Sequence, residues 1–112
     1  MILIDTSIWV DLLSRKPTHI IPAEKLPLLA TCPPVIQEVL QGIRDHDPHR
    51  KISVGLNALT IFGNPMPLEL YESAAQIYRD GRRHGLTVRS SMDCLIAATA
   101  LRYDLLVWHM DR

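Results

Sequence analysis

Met1-Ile2-Leu3-Ile4-Asp5-Thr6-Ser7 opens the chain, and the reading of this stretch decides the rest. An unbroken apolar run before the first charge suits a strand buried on both faces. The Asp-Thr-Ser that follows supplies side-chain acceptors for a helix N-terminus. The chain therefore begins as a strand running directly into a helix. Ile8, Trp9, Leu12 and Leu13 continue at helical spacing until Ser14-Arg15-Lys16-Pro17 ends the pattern with charge and proline.

The same unit recurs. Prolines at 17, 22, 27, 33 and 34 punctuate the approach to a second strand near Leu28 to Cys32, and Pro34 suits the first turn of a second helix. Val35, Val39, Leu40 and Ile43 form one apolar face of that helix and leave Glu38 on its flank; Gly42 and Asp45-His46-Asp47-Pro48 end it. Ile52, Leu56 and Leu59 mark a further helix, Thr60-Ile61-Phe62 a short strand, and Gly63 to Pro67 a turn. A long helix from Leu68 to His84 is stopped by Gly85. Ser90 to Tyr103 reads as the last helix, with Leu95, Ile96, Thr99 and Tyr103 inward, before a buried strand at Leu105 to Trp108. Parallel strands need crossovers, so this alternation predicts an α/β fold with a central, mainly parallel sheet flanked by helices. In such sheets ligands bind beyond the carboxyl ends of the strands.

Composition narrows the function classes. The chain has 112 residues, 47% of them hydrophobic, enough for one domain with a real core and with no repeat or linker to divide it. Twelve basic and 12 acidic residues leave a formal charge of zero, which argues against a protein that grips nucleic acid by bulk charge alone. Cys32 and Cys94 form no Cys-x-x-Cys pair, so neither a disulfide framework nor a thiolate zinc site is indicated. No apolar run approaches the roughly 20 residues of a membrane span, and the early Asp5 is unlike a signal peptide. The expected location is the cytoplasm, with no membrane partner.

Four carboxylates carry the chemistry. Asp5 leaves the first strand at its carboxyl end, Asp111 follows the last, Asp93 lies in the first turn of a helix, and Glu38 reaches out from a helix flank. Two carboxylates about 5 Å apart repel by roughly 3 kcal/mol at an effective dielectric near 20, so four gathered acids require a cation. An all-oxygen ligand set favours Mg2+, with Mn2+ as a substitute, over zinc. Each acid has a plainer use. Asp5 can cap its helix, Ser90-x-x-Asp93 can be a variant capping box, Glu38 can be a solvated flank and Asp111 a loop residue. Capping explains Asp5 and Asp93 singly but not the recurrence of four acids at related places in the topology.

With these residues on the page, the chain closely resembles the PIN-domain ribonucleases, in particular the VapC toxins of type II toxin–antitoxin pairs. The carriers are MILIDTSIWVDLL, PPVIQEVLQGI, RSSMDCLIAATAL and LLVWHMDR, in the family's order and approximate spacing over nearly the whole chain. The resemblance implies a single PIN-like domain over residues 1–112 and assigns the family's four acids to Asp5, Glu38, Asp93 and Asp111, with Asp5 and Asp93 as leading metal ligands. It implies that Thr6 or Ser7 supplies the hydroxyl that orients a carboxylate or a metal-bound water; helix capping competes for that hydroxyl. The implied activity is magnesium-dependent hydrolysis of RNA phosphodiester bonds by an activated water, leaving 5′-phosphate and 3′-hydroxyl ends. Arg82, Arg83 and Arg89 are candidate phosphate contacts, against the simpler reading of a solvated helix face. The implied partners are RNA and a VapB-like antitoxin, in a homodimer or a toxin–antitoxin hetero-oligomer. Family members usually continue past the fourth acid into a further aromatic residue and a closing segment. That leaves two alternatives at Asp111, a loosely held acid or a domain truncated at its C-terminus.

Two rivals come from other classes. A metal-independent nuclease would use two of His46, His49, His84 and His109 on one phosphate, and a PIN-like scaffold would bind RNA or protein without turnover. A serine hydrolase or a phosphate-loop enzyme is set aside, since neither a Gly-x-Ser-x-Gly elbow nor a Gly-rich loop before a lysine is present.

Overall fold

The computed structural model describes residues 1–85 and 90–110. β1 (Ile2–Ile4) leads into α1 (Thr6–Leu12), and β2 (Leu29–Thr31) into α2 (Pro33–Gln41). α3 (His46–Asn57) precedes β3 (Thr60–Ile61), and α4 (Leu68–Arg83) and α5 (Ser91–Arg102) precede β4 (Leu106–Trp108). Among the described residues the four strands are parallel in the order β3-β2-β1-β4. The chain steps outward from β1 to β2 and β3, then returns to the other side of β1 for β4. The order therefore reverses at β1, and crevices open where it does.

Local chemistry explains the elements. Asp5 is the N-cap of α1 and its side chain accepts from the Ser7 amide; Ser90 caps α5 by accepting from the Asp93 amide at 3.1 Å. Both satisfy donors that a helix start leaves orphaned. Pro33 and Pro34 open α2, where a missing amide hydrogen is harmless. Gly85, at φ +70°, follows the end of α4 in the left-handed conformation that favours glycine. Leu3, Ile4, Ala30 and Thr31 are completely buried at the centre of the sheet. One core packs Leu3 with Val35, Val39, Leu56 and Ile96; another packs Ile4 with Ile8 and Leu29, with Trp108 lying against it.

The run before β2 is a 3-10 turn over Ala23–Leu28 with Pro27 inside it, and the strand at Leu29–Thr31 lies within the expected stretch. One expectation is corrected. The last strand is not buried: Leu106 is 73% and Val107 38% exposed. Among the described residues β4 is an edge strand, with β1 on one side only. An apolar run reports strand propensity, whereas burial depends on what lies on either side.

Candidate active site

The carboxyl end of β1, the flank of α2 and the first turn of α5 border a cleft of about 520 Å³. Asp5, Glu38 and Asp93 all line it, brought together from α1, α2 and α5, together with Asp11, which the sequence reading had passed over. Thr6, Ser7, Ser14, Ser90 and Met110 complete much of the wall. Asp111 and Arg89 lie outside the described residues. Arg82 and Arg83 do not line this cleft; with Arg79 they line a separate notch at the end of α4, and the Arg82 guanidinium lies 5.4 Å from the Tyr78 ring centroid.

The two hydroxyls after Asp5 divide their work. Ser7 Oγ donates to Asp5 Oδ2 at 2.7 Å, beside the capping bond from the Ser7 amide at 3.2 Å, and Thr6 Oγ1 donates to Glu38 Oε1 at 2.8 Å. Capping and carboxylate orientation were competing expectations for these groups, and both occur. Ser7 Oγ also accepts from the Met110 amide at 3.2 Å, while the Asp5 amide donates to the Trp108 carbonyl at 3.0 Å. These two bonds tie the chain just after β4 to the first acid.

Asp11 differs from its neighbours in the cleft. Its carboxylate accepts from the Thr18 and His19 amides at 3.2 and 3.0 Å and from Thr18 Oγ1 at 2.9 Å. His19 Nδ1 lies 2.8 Å from the same carboxylate, and the imidazole packs edge-on against Trp108 with ring centroids 5.5 Å apart. These partners, His19 foremost, hold the Asp11 carboxyl down at about 2. The Asp93 carboxylate, by contrast, has no hydrogen-bonding partner among the described residues. Asp11 could have been found in the sequence only as the continuation of a helical stripe, since Ser7, Val10, Asp11 and Ser14 fall at i, i+3, i+4 and i+7.

Beneath the acids lies Cys32, fully buried at the N-cap of α2. Burial pushes its thiol up to about 11; the nearby Asp5 and Glu38 carboxylates add to the rise, and a hydrogen bond from the Val35 amide opposes it. Burial, then the Asp93 carboxylate, raises Cys94 as well. Both are inert thiols. No histidine lines the cleft among the described residues.

Among the described residues no three Asp, Glu, His or Cys side chains are gathered tightly enough to form a ready-made metal cage. The donor set nevertheless fits a hard divalent cation. Asp93 is unsaturated, one oxygen of Asp5 is held by Ser7, and Glu38 is oriented by Thr6, all oxygen ligands facing one cleft. No helix among the described residues is long and apolar enough to cross a membrane.

Comparison with known proteins places this geometry in context. The family model described as PIN domain matches residues 2–112. VapC ribonuclease Mb1587 of Mycobacterium bovis and ribonuclease VapC11 of Mycobacterium tuberculosis are each 36% identical over 117 aligned positions, covering 99% of this chain and 87% of the relative. Among solved structures, M. tuberculosis VapC20, a sarcin-ricin loop cleaving toxin, superposes with a TM-score of 0.71 at 18% identity, covering 99% of this chain and 90% of that one. VapBC2 from Rickettsia felis, bound to a DNA fragment from its promoter, gives 0.69 at 18% identity, with 99% and 100% coverage.

Proposed function

This chain belongs to the PIN-domain family, in its VapC branch, and from that premise we propose that it is a magnesium-dependent endoribonuclease, the toxic member of a cytoplasmic toxin–antitoxin pair. The observation that carries the reading is the meeting of Asp5, Glu38 and Asp93 in one cleft from elements far apart in sequence. Helix capping, which accounts for Asp5 and for Ser90, gives no reason for that convergence.

In this reading Asp5 and Asp93 hold the divalent ion, with Glu38 and Asp111 completing the acidic set. The ion, Mg2+ or Mn2+, supplies charge neutralisation at the scissile phosphate and lowers the pKa of the attacking water. The chain's own residues prepare the site. Ser7 holds the Asp5 carboxylate through Oδ2, which limits the rotamers open to an acid that lines the cleft. Thr6 fixes Glu38 in the same way, as an acceptor for a proton from water. The Met110 amide, bound to Ser7 Oγ, ties the chain after β4 to the residue that orients Asp5.

The partner is a VapB-like antitoxin that covers the acidic cleft, and the assembly is a homodimer or a toxin–antitoxin hetero-oligomer. The ribonuclease names of the 36% identical relatives support the activity, and the VapBC neighbour supports the antitoxin. The test is cleavage of total bacterial RNA by purified protein with Mg2+, with and without chelator, beside Asp5→Asn and Asp93→Asn. Activity should vanish with chelation and fall by at least about a hundredfold in each variant. Full activity in either folded variant overturns the site assignment.

A further inference from the structure

The cleft poses an electrostatic problem. Asp5, Asp11, Glu38 and Asp93 all line it, and RNA is a polyanion, so the backbone flanking the scissile bond needs cations close by. Arg82 and Arg83 sit in the separate notch with Arg79. Among the described residues, a turn carrying two cations follows directly on a residue of the cleft wall where the chain leaves α1.

Ser14 lines the cleft, and Arg15 and Lys16 follow it directly, both exposed. Among the described residues neither has an acidic partner; the one ion pair there is Asp11 with His19. The turn that carries them is closed at its base on a single residue. The Asp11 carbonyl accepts from the Ser14 amide at 3.0 Å and from Ser14 Oγ at 2.6 Å, and the Asp11 carboxylate accepts from Thr18 and His19. His19 then rests on Trp108 of β4. A short chain segment held at both ends has already lost most of the backbone freedom that binding would otherwise remove.

We propose that the Ser14–Pro17 turn is a phosphate-binding rim of the cleft, in which Arg15 and Lys16 contact the backbone of single-stranded RNA and Asp11 is the positioning residue that closes the turn. The proposal rests on the ribonuclease reading, and it explains why an acid that lines the cleft is saturated with internal donors. Asp11 is occupied in holding the rim and is not available as a metal ligand.

The test measures binding of a fluorescein-labelled, mixed-sequence, 20-nucleotide single-stranded RNA to Asp93→Asn protein, so that cleavage does not intrude. Arg15→Gln/Lys16→Gln is compared with Arg82→Gln/Arg83→Gln over a range of salt concentrations. Loss of two phosphate contacts should make the slope of log affinity against log salt shallower by about 1.4, at roughly 0.7 per contact for single strands. Affinity at low salt should fall about tenfold. An unchanged slope and affinity in the Arg15/Lys16 variant overturns the proposal, as does a loss confined to the Arg82/Arg83 variant. Failure of the ribonuclease reading appears separately, as absence of RNA cleavage by the unsubstituted protein with Mg2+.

Discussion

On the α1 side of the cleft, the Asp11 carboxylate accepts hydrogen bonds from two backbone amides and a hydroxyl and pairs with an imidazole. On the α5 side, Asp93 presents a carboxylate with no partner among the described residues. Both are aspartates in helices that start beside the same sheet edge, and both line the same cleft. The difference separates two uses of one side chain. A carboxylate whose lone pairs are consumed by its own chain is a structural anchor, whereas one without such partners at a cleft wall is the kind of group that the proposed divalent ion would use.

The sharpest way to break this contrast is to exchange the two acids' fates. Asp93→Asn should lower RNA cleavage by about a hundredfold to a thousandfold while shifting the thermal midpoint by no more than about 3 °C, because no internal bond is lost from its carboxylate. Calorimetry beside the activity assay checks both halves, and a large stability loss would erase the distinction. The base shared by both walls is β1. Ile4→Ala, at a completely buried position, should destabilise the fold by about 2–5 kcal/mol in chemical denaturation. That loss should lower both walls together.

Asp11→Asn tests the anchored wall. The peptide bond after Arg15 should become several-fold more sensitive to limited trypsin digestion as the turn opens, while the bond after Lys16 stays closed to trypsin because Pro17 follows it and the fragment pattern elsewhere stays the same. Equal trypsin sensitivity in the two proteins would show that the turn is held by something other than Asp11.

The smallest effect is on pH. The Asp11 carboxyl lies at about 2 in the fold against its ordinary 3.8, so the folded state holds the ionised form more tightly than the unfolded chain does. Its stabilising contribution is therefore present in full above about 4 and lost as pH falls through about 2. The difference in thermal midpoint between the unsubstituted protein and Asp11→Asn should shrink across that window. A difference that persists unchanged below it would exclude the carboxylate as the source.

Much of the fold was legible because it is written locally. The run Met1 to Ile4 before Asp-Thr-Ser, the proline pair before Val35, and Ser90 three residues ahead of Asp93 each specify an element through nearby backbone chemistry. The recurrence of acids after strands and at helix starts pointed to Asp5, Glu38 and Asp93, and the cleft unites them. What failed was non-local. The run at Leu105 to Trp108 reads as buried, yet β4 has a neighbour on one side only among the described residues. The place of Arg82 and Arg83, read as candidate phosphate contacts, is likewise set by the tertiary structure, since α4 carries them to a notch apart from the cleft.

The sequence by itself determined the order of strands and helices and the acids that follow them, because capping, proline placement and apolar runs act over a few residues. Only the tertiary structure decided that Asp11 is saturated, that Asp93 has no partner among the described residues, and that Ser14, just ahead of Arg15 and Lys16, lines the cleft. A carboxylate's role depends on which donors reach it, and for Asp11 those donors arrive from a loop seven and eight residues away that must first fold back onto α1.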